Sequence, residues 1–519
     1  AEATVARESL VVTATRSPSI ELDTVGNIAQ ISADEIRLTN AVHPHELAVQ
    51  IPGTWISRGN GQEQLTAIRS PVLTGAGSCG AFLFMEDGIP TRPTGFCNVN
   101  QLFEVPTSLA HSMEVIRGPA NALYGSNGLH GTINTLLPVP GRDASTGVSL
   151  ETGSNDYWRG QFGWDSGPGE SAWNAGLVID RDGGYREESG YEQAKLFAKH
   201  RRETSNGLLS FGLSASWLDQ ETAGFITGVD AYKDDNRFRN QNPEAYREAY
   251  SLRLSAGWTP DPGPVWAPEY RFYLRNSDMD FLMHFLPGQP REQNGQTSIG
   301  TMLITRRDVG NDSRLTLGVD AEIATGFLDQ FQENPTSIGN QFVDNPRPQG
   351  QHYDYDVNSY LVAGYASLIV PFASRWELQA GLRGEYMYYD YDNKMISGNT
   401  MDDGSPCPDP TPGGNAGCMY QRPADRTDSF FNAAPNIGVL YHFSDSTVGF
   451  ANATRGFRVP QATELYRLQR LQETADIDSE ELDSIETGMR HKAEKLQLEA
   501  VAFYMRKSNF IFRDSRLEN

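Results

Sequence analysis

Four cysteines are the residues of this chain best placed, by type and spacing, to do chemistry. They fall in two local pairs, Cys79 with Cys97 and Cys407 with Cys418, the second bracketing the run CPDPTPGGNAGC. An even count in short loops reads as two disulfides, Cys79–Cys97 and Cys407–Cys418, and as an oxidising compartment. Reduced thiols or a metal site are the alternatives, and no CxxC spacing supports zinc. Met279, Met283 and His284 are soft enough as a group to hold copper, with Met85 elsewhere in the chain; plain loop packing is the competing reading. Histidines such as His43 and His45 are scattered, and there is neither a Ser-His-Asp arrangement nor a nucleotide-binding loop. The expectation is a protein that is not an enzyme, with no catalytic residue, resident metal or cofactor.

The elements that must position these residues are bounded by composition. The chain has 519 residues, too many for one ordinary domain. Its net charge of -23, from 43 Lys+Arg against 66 Asp+Glu, repels phosphates and argues against a nucleic-acid partner. That acidity serves solubility or forms acidic loops outside a cell; the residues leave both open. Mean hydropathy is -0.48 while aromatics reach 10%, which suits a structure greasy only in a thin band. No run reaches the roughly 18 apolar residues of a membrane helix. A barrel stays open, because lipid-facing and lumen-facing residues alternate and leave a weak hydropathy signal.

The start AEATVARESL reads as a mature chain after export. Residues 1–20 read as an exposed arm containing the β-branched run Leu10 to Ala14, and 21–140 as a mixed α+β domain. Ser32 to Glu35 spells a capping box opening a short helix. His45 to Gln50 reads as a second helix, and Phe82 to Met85 as a strand before an Asp87-Gly88 turn. From about residue 145 apolar and polar residues alternate. Leu209, Phe211, Leu213, Ala215 and Trp217 oppose Ser210, Gly212, Ser214 and Ser216, and 252–258, 314–323 and 376–386 repeat the pattern. A soluble sandwich shares it. Strands of about ten residues, aromatics near strand ends (Trp258, Trp376, Tyr386, Tyr388) and long polar connections at 219–248 and 389–429 favour a transmembrane barrel.

Motifs then point to a family. The segment Glu8-Ser9-Leu10-Val11-Val12-Thr13-Ala14-Thr15-Arg16 resembles a TonB box, and the resemblance assigns Glu8, Ser9, Leu10, Val11, Val12, Thr13 and Ala14 to capture by strand addition. Ile51-Pro52-Gly53, Ile68-Arg69-Ser70 and Met85-Glu86-Asp87-Gly88-Ile89-Pro90 follow in the order of a plug domain. The most specific stretch is MEVIRGPANALYG at 113–125 with Gly131-Thr132-Ile133-Asn134, resembling the signature IEVxRGPxSxLYGxxxxGGxIN. It contributes Gly118, Pro119, Tyr124, Gly125, Gly131 and Asn134; His130 stands where glycine is usual. Gly456-Phe457-Arg458-Val459-Pro460 with Glu464-Leu465-Tyr466 resembles GFRxPxxxELY, and 479–488 resembles PExxxSYExG. The chain thus resembles the TonB-dependent receptors from residue 8 to about 512.

The resemblance implies a transmembrane antiparallel β-barrel, residues 145–519, filled by the N-terminal plug, in the outer membrane of a Gram-negative bacterium. It implies a lock between plug arginines Arg69 and Arg117 and barrel glutamates Glu480 and Glu486. It implies a monomer whose partners are TonB, outer-membrane lipid and lipopolysaccharide, and a ligand. Ferric siderophore uptake comes first, with iron only as cargo; a vitamin, haem or copper complex, a passive porin and an adhesin are the alternatives. Relatives have about 22 strands, whereas 145–519 supplies roughly 15 to 17, so a barrel lacking its last strands is expected.

Overall fold

The computed structural model describes residues 10–11, 16, 19–75, 77–119, 122–263, 265–310, 312–408, 417–470, 472, 477–493 and 496–512. The N-terminal part folds around a five-stranded sheet in the spatial order Ile28–Ser32, Ser112–Arg117, Gly131–Leu136, Phe82–Glu86, Ile89–Pro90. Phe82–Glu86 runs parallel to Gly131–Leu136, and the other neighbours are antiparallel. Ile31, Ile36, Leu47, Ile56, Ile68, Phe84, Met113, Val115 and Ile133 pack as one buried core.

Local chemistry starts the helices where the sequence indicates. Ser32 accepts the Glu35 N–H while the Glu35 carboxylate accepts the Ser32 N–H, and Ala33–Thr39 follows. The second helix is Pro44–Ala48, starting a residue earlier than expected because Pro44 sits at its first position and His43 caps it, accepting the His45 N–H at 3.0 Å. Burial keeps His43 neutral, its pKa pushed down to about 3.

The rest is one 15-stranded antiparallel sheet from Ser145–Thr152 to Leu496–Ser508, each strand paired with the next in the series. The expected length of about ten residues is too short. Gly207–Glu221, Arg314–Gln332 and Gly350–Ala373 carry their ladders well past a membrane crossing, since each neighbour is long enough to keep pairing. The long connections shrink accordingly, from 219–248 to 222–245 and from 389–429 to 394–425. Links at the opposite end are short, as at 205–206 and 445–446.

Burial decides between barrel and sandwich. On Gly207–Glu221 the apolar Trp217 is 45% exposed while its neighbour Ser216 is 5% exposed. On Trp376–Asn393, Leu382 is exposed while Arg383 and Glu385 are buried. The greasy face points outward and the polar face inward, which suits lipid outside and a packed polar interior. Val319 lies midway along the outward run Leu315 to Ile323. Val319→Arg is expected to cost about 2–4 kcal/mol of folding stability in lipid vesicles; equilibrium unfolding of the reconstituted protein checks it, and an unchanged midpoint would contradict a lipid-facing site.

Candidate functional site

Plug and barrel meet through buried charge. Arg253 on the wall pairs with Glu86 at 2.9 Å and with Glu104 at 3.4 Å, and Arg92 neutralises Glu104 from the plug side at 2.6 Å. Lys199 pairs with Asp87 at 2.9 Å, and Arg271 donates to the Asp87 carbonyl at 2.6 Å. Asp87 also accepts the Leu137 N–H, and Asn134 accepts the Gly88 N–H, so the Asp-Gly turn is braced twice by the strand Gly131–Leu136 and its continuation. Arg247 pairs with Glu63 at 2.7 Å. A buried charge without such a partner is severely costly, so each pair fixes how the plug sits.

The expected lock of Arg69, Arg117, Glu480 and Glu486 is split. Arg69 pairs with Glu486 at 2.7 Å and lies over the Phe503 ring. Arg117 instead pairs with Glu499 at 2.8 Å and donates to the Pro52 carbonyl; Arg490 shares Glu499 at 2.9 Å. Glu480 joins Arg458, with Lys507 at 3.0 Å. The reason is strand geometry: Glu480 and Glu486 lie six residues apart on Glu480–Ala493, about 20 Å at an extended rise, so one plug arginine cannot meet both. Between this wall and the plug segment Thr24 to Ile28 lies a cavity of about 60 Å³, lined by Asn436, Asn452 and Ser484 among others.

The signature loop supplies close approaches. Gly125 has φ +72°, and an added Cβ would fall 2.3 Å from Arg383 Nε and Glu385 Oε2. At Gly131 a Cβ would meet the Ile116 carbonyl at 2.7 Å, so the two central plug strands could not pair as closely. Gly118 donates to the His130 carbonyl, and Pro119 lies against Gly456 of the barrel. Burial depresses His130 to about 4, so the residue replacing the usual glycine adds no charge.

In the arm, Leu10–Val11 pairs antiparallel with Ser19–Ile20. Glu8, Ser9, Val12, Thr13 and Ala14 lie outside the described residues. Arg16 closes the TonB-box-like segment, but its contact with the barrel wall was not expected from the motif. Its guanidinium binds both Asp320 oxygens at 3.0 Å and the Tyr365 hydroxyl at 2.9 Å, between the rings of Tyr124 and Tyr365. Burial works against its charge, Asp320 more than offsets that, and its pKa is raised. Asp320 also pairs with Arg383 at 2.7 Å, and Arg383 with Glu385 at 2.9 Å. The signal was present: Asp320, Arg383 and Glu385 are charges on the polar face of alternating strands, where a solvated lumen would not bury them.

Cys79–Cys97 and Cys407–Cys418 form the two disulfides. The first staples the plug's outer apex, where Phe96 packs against a layer containing Tyr355, Tyr389, Tyr391 and Tyr466. Tyr391 and Tyr466 stack at 4.2 Å. Arg467 follows, paired with Glu292 at 2.9 Å. Met279 and Met283 are buried with Phe103, Tyr191 and Leu218, and their sulfurs accept from Asn98 and Arg467. Both methionines are engaged in this packing, and among the described residues no group of three or more His, Cys, Asp or Glu could hold a metal.

Two family models match: the TonB-dependent receptor plug domain over residues 21–132 and the TonB-dependent receptor-like β-barrel over 196–519. The vitamin B12 transporter BtuB of Vibrio vulnificus is 27% identical over 229 residues, which is 41% of this chain but only 36% of the relative's length. Among solved structures, the unliganded ferric citrate transporter FecA superposes with TM-score 0.73 at 15% identity, covering 94% of this chain and 70% of that one. The ferripyoverdine receptor of Pseudomonas aeruginosa gives TM-score 0.74 at 14% identity, covering 98% and 66%. At such identities these structures establish the fold alone.

The split lock has an energetic consequence. Glu486→Ala is expected to cost about 3–5 kcal/mol by stranding Arg69. A double-mutant cycle on Arg69 and Glu486 should give about 1 kcal/mol or more of coupling, and one on Arg117 and Glu480 should stay within about 0.5 kcal/mol of additivity. Urea unfolding of the reconstituted receptor measures both, and equal coupling in the two cycles would restore the single four-residue cluster.

Proposed function

The chain belongs to the TonB-dependent receptors, and on that premise we propose that it actively imports a scarce ferric siderophore across the outer membrane. The observation that carries the transport reading is the stoppered lumen, in which a folded plug is held to the inner wall by Arg253, Glu86, Glu104, Arg69 and Glu486. A passive porin has no use for such a stopper. The paired charges also suit a stopper that must move, because ions parted from each other are readily taken up by water, whereas an apolar interface is not.

In this reading the substrate binds the outer loops and the apex around Cys79 and Cys97. The arm at 8–14 is then offered to TonB, which adds a strand to it and pulls with energy from the inner-membrane proton gradient. Arg16 ties the arm to the wall at Asp320, and in this reading its release precedes displacement of the plug. No bond is made or broken in the substrate. The substrate class is supported by the fold neighbours named for ferric citrate and ferripyoverdine, while the aromatic layer of Phe96, Tyr355, Tyr391 and Tyr466 lies packed beneath the outer loops with Arg467 paired to Glu292. A corrinoid is the second reading, favoured by the Vibrio relative's name.

Val12→Pro removes a backbone N–H from the arm. Uptake of radioiron from a ferric siderophore by iron-starved cells should fall to that of energy-depleted cells, while surface binding of the chelate stays at the wild-type level. Import at full speed would sink the coupling claim. Competition of uptake by cyanocobalamin would replace the siderophore with the second reading.

A further inference from the structure

The barrel motif at 456–466 is conspicuous in the sequence, yet transport as described leaves it without a task. In the structure it docks onto the plug signature. Gly456 lies against Pro119, where an added Cβ would be 2.8 Å from the proline ring. The Val459 N–H donates to Ser126 Oγ at 3.1 Å, and Gln461 Nε2 donates to Asn127 Oδ1 at 3.3 Å. The same Gln461 side chain accepts the Cys97 N–H at 3.2 Å, and the Ala462 N–H donates to the Gly95 carbonyl at 2.9 Å. Arg458, buried, holds Glu464 through both oxygens at 2.7 and 2.9 Å, and Glu464 accepts the Gln461 N–H at 2.8 Å. The strap therefore grips both the disulfide-stapled apex and the signature loop. Its other end carries Tyr466 into the aromatic layer beneath the outer loops.

The signature loop connects this strap to the arm. Ser126 and Asn127 touch the strap, while Tyr124, two and three residues away, lies under the Arg16 guanidinium at 4.8 Å. Between them Gly125 is pressed on Arg383 and Glu385, and Arg383 shares Asp320 with Arg16. A shift of residues 124–127 thus disturbs the arm's anchor by two routes, through the Tyr124 ring and through Arg383.

We propose that Gln461 is a positioning residue that couples the outer chamber to the arm: its hold on Cys97 and Asn127 keeps the signature loop seated, and the seated loop keeps Arg16 on Asp320. Displacement of Tyr466 by a bound substrate would loosen the strap and free the arm. The substrate-driven part rests on the transport reading above; the mechanical link does not.

The test needs no substrate. A nitroxide on Glu8→Cys reports the arm in the full receptor, purified and reconstituted in lipid; hydrogen exchange reports residues 95–97. Gln461→Ala is expected to raise exchange at 95–97 and to raise the free-to-docked ratio of the arm by at least about fivefold, the lower end of ordinary coupling. Gln461→Glu, which keeps the acceptor for Cys97 but loses the donor to Asn127, should fall between. Ser126→Ala loosens the same junction from the plug side and serves where a Gln461 variant does not fold. In a Tyr124→Leu background Gln461→Ala should add little. If exchange at 95–97 rises while the arm stays within about twofold of wild type, the strap is only a local brace and the proposal falls. It falls equally if neither readout moves. Failure of siderophore uptake would leave both readouts, and this inference, standing.

Discussion

Alternation along each barrel strand governs the whole molecule. A strand that shows Trp217 and Leu382 to lipid must turn Ser216 and Arg383 inward. The lumen is therefore polar by geometry, and whatever fills it must answer with complementary polarity. This chain does so with a plug whose own core is apolar but whose rim carries Glu86, Glu104, Arg69 and Arg117 into the wall. The resulting interface resists any loss of a single partner yet can be rehydrated as a whole. Firm docking follows from these pairs.

Charge pairing also explains how one end of the molecule is tied to the other. The lumen wall is not a set of isolated bridges. Arg16, Asp320, Arg383 and Glu385 form a chain of shared charges, and the plug's signature loop leans on it through Gly125 and Tyr124. At its outer end the loop meets the barrel strap at Val459 and Gln461. Two sequence signatures, far apart in the chain, are thus halves of one joint. Gly456, Arg458 and Glu464 all contribute to that joint.

Much of this was legible in the sequence, for physical reasons. Period-two alternation in 208–218 and 314–323 marks strands wherever one face meets a different medium, and the Ser32 to Glu35 box marks a helix start through purely local hydrogen bonds. The cysteine pairs were legible because both bridges close short loops. What failed was non-local. Nothing in a motif says that Glu480 and Glu486 lie on one strand about 20 Å apart, so a lock joining them to Arg117 could not be judged without register. Strand lengths were underestimated because the membrane sets only a minimum, and pairing continues as long as both neighbours allow. Asp320, Arg383 and Glu385 were legible as inward charges, but the pairing of Arg16 with Asp320, 304 residues away, was not.

On this account plug and barrel are separately cooperative units joined by a hydratable interface. Hydrogen exchange across a urea series, on the receptor in lipid, addresses it most directly, because it resolves units of different opening free energy. Amides of Ile28–Ser32, Phe82–Glu86, Ser112–Arg117 and Gly131–Leu136 should open together, well below the barrel strands, with the barrel still protected. If plug and barrel amides instead merge into one opening at a single free energy, the plug is part of the barrel's fold and not a separable stopper.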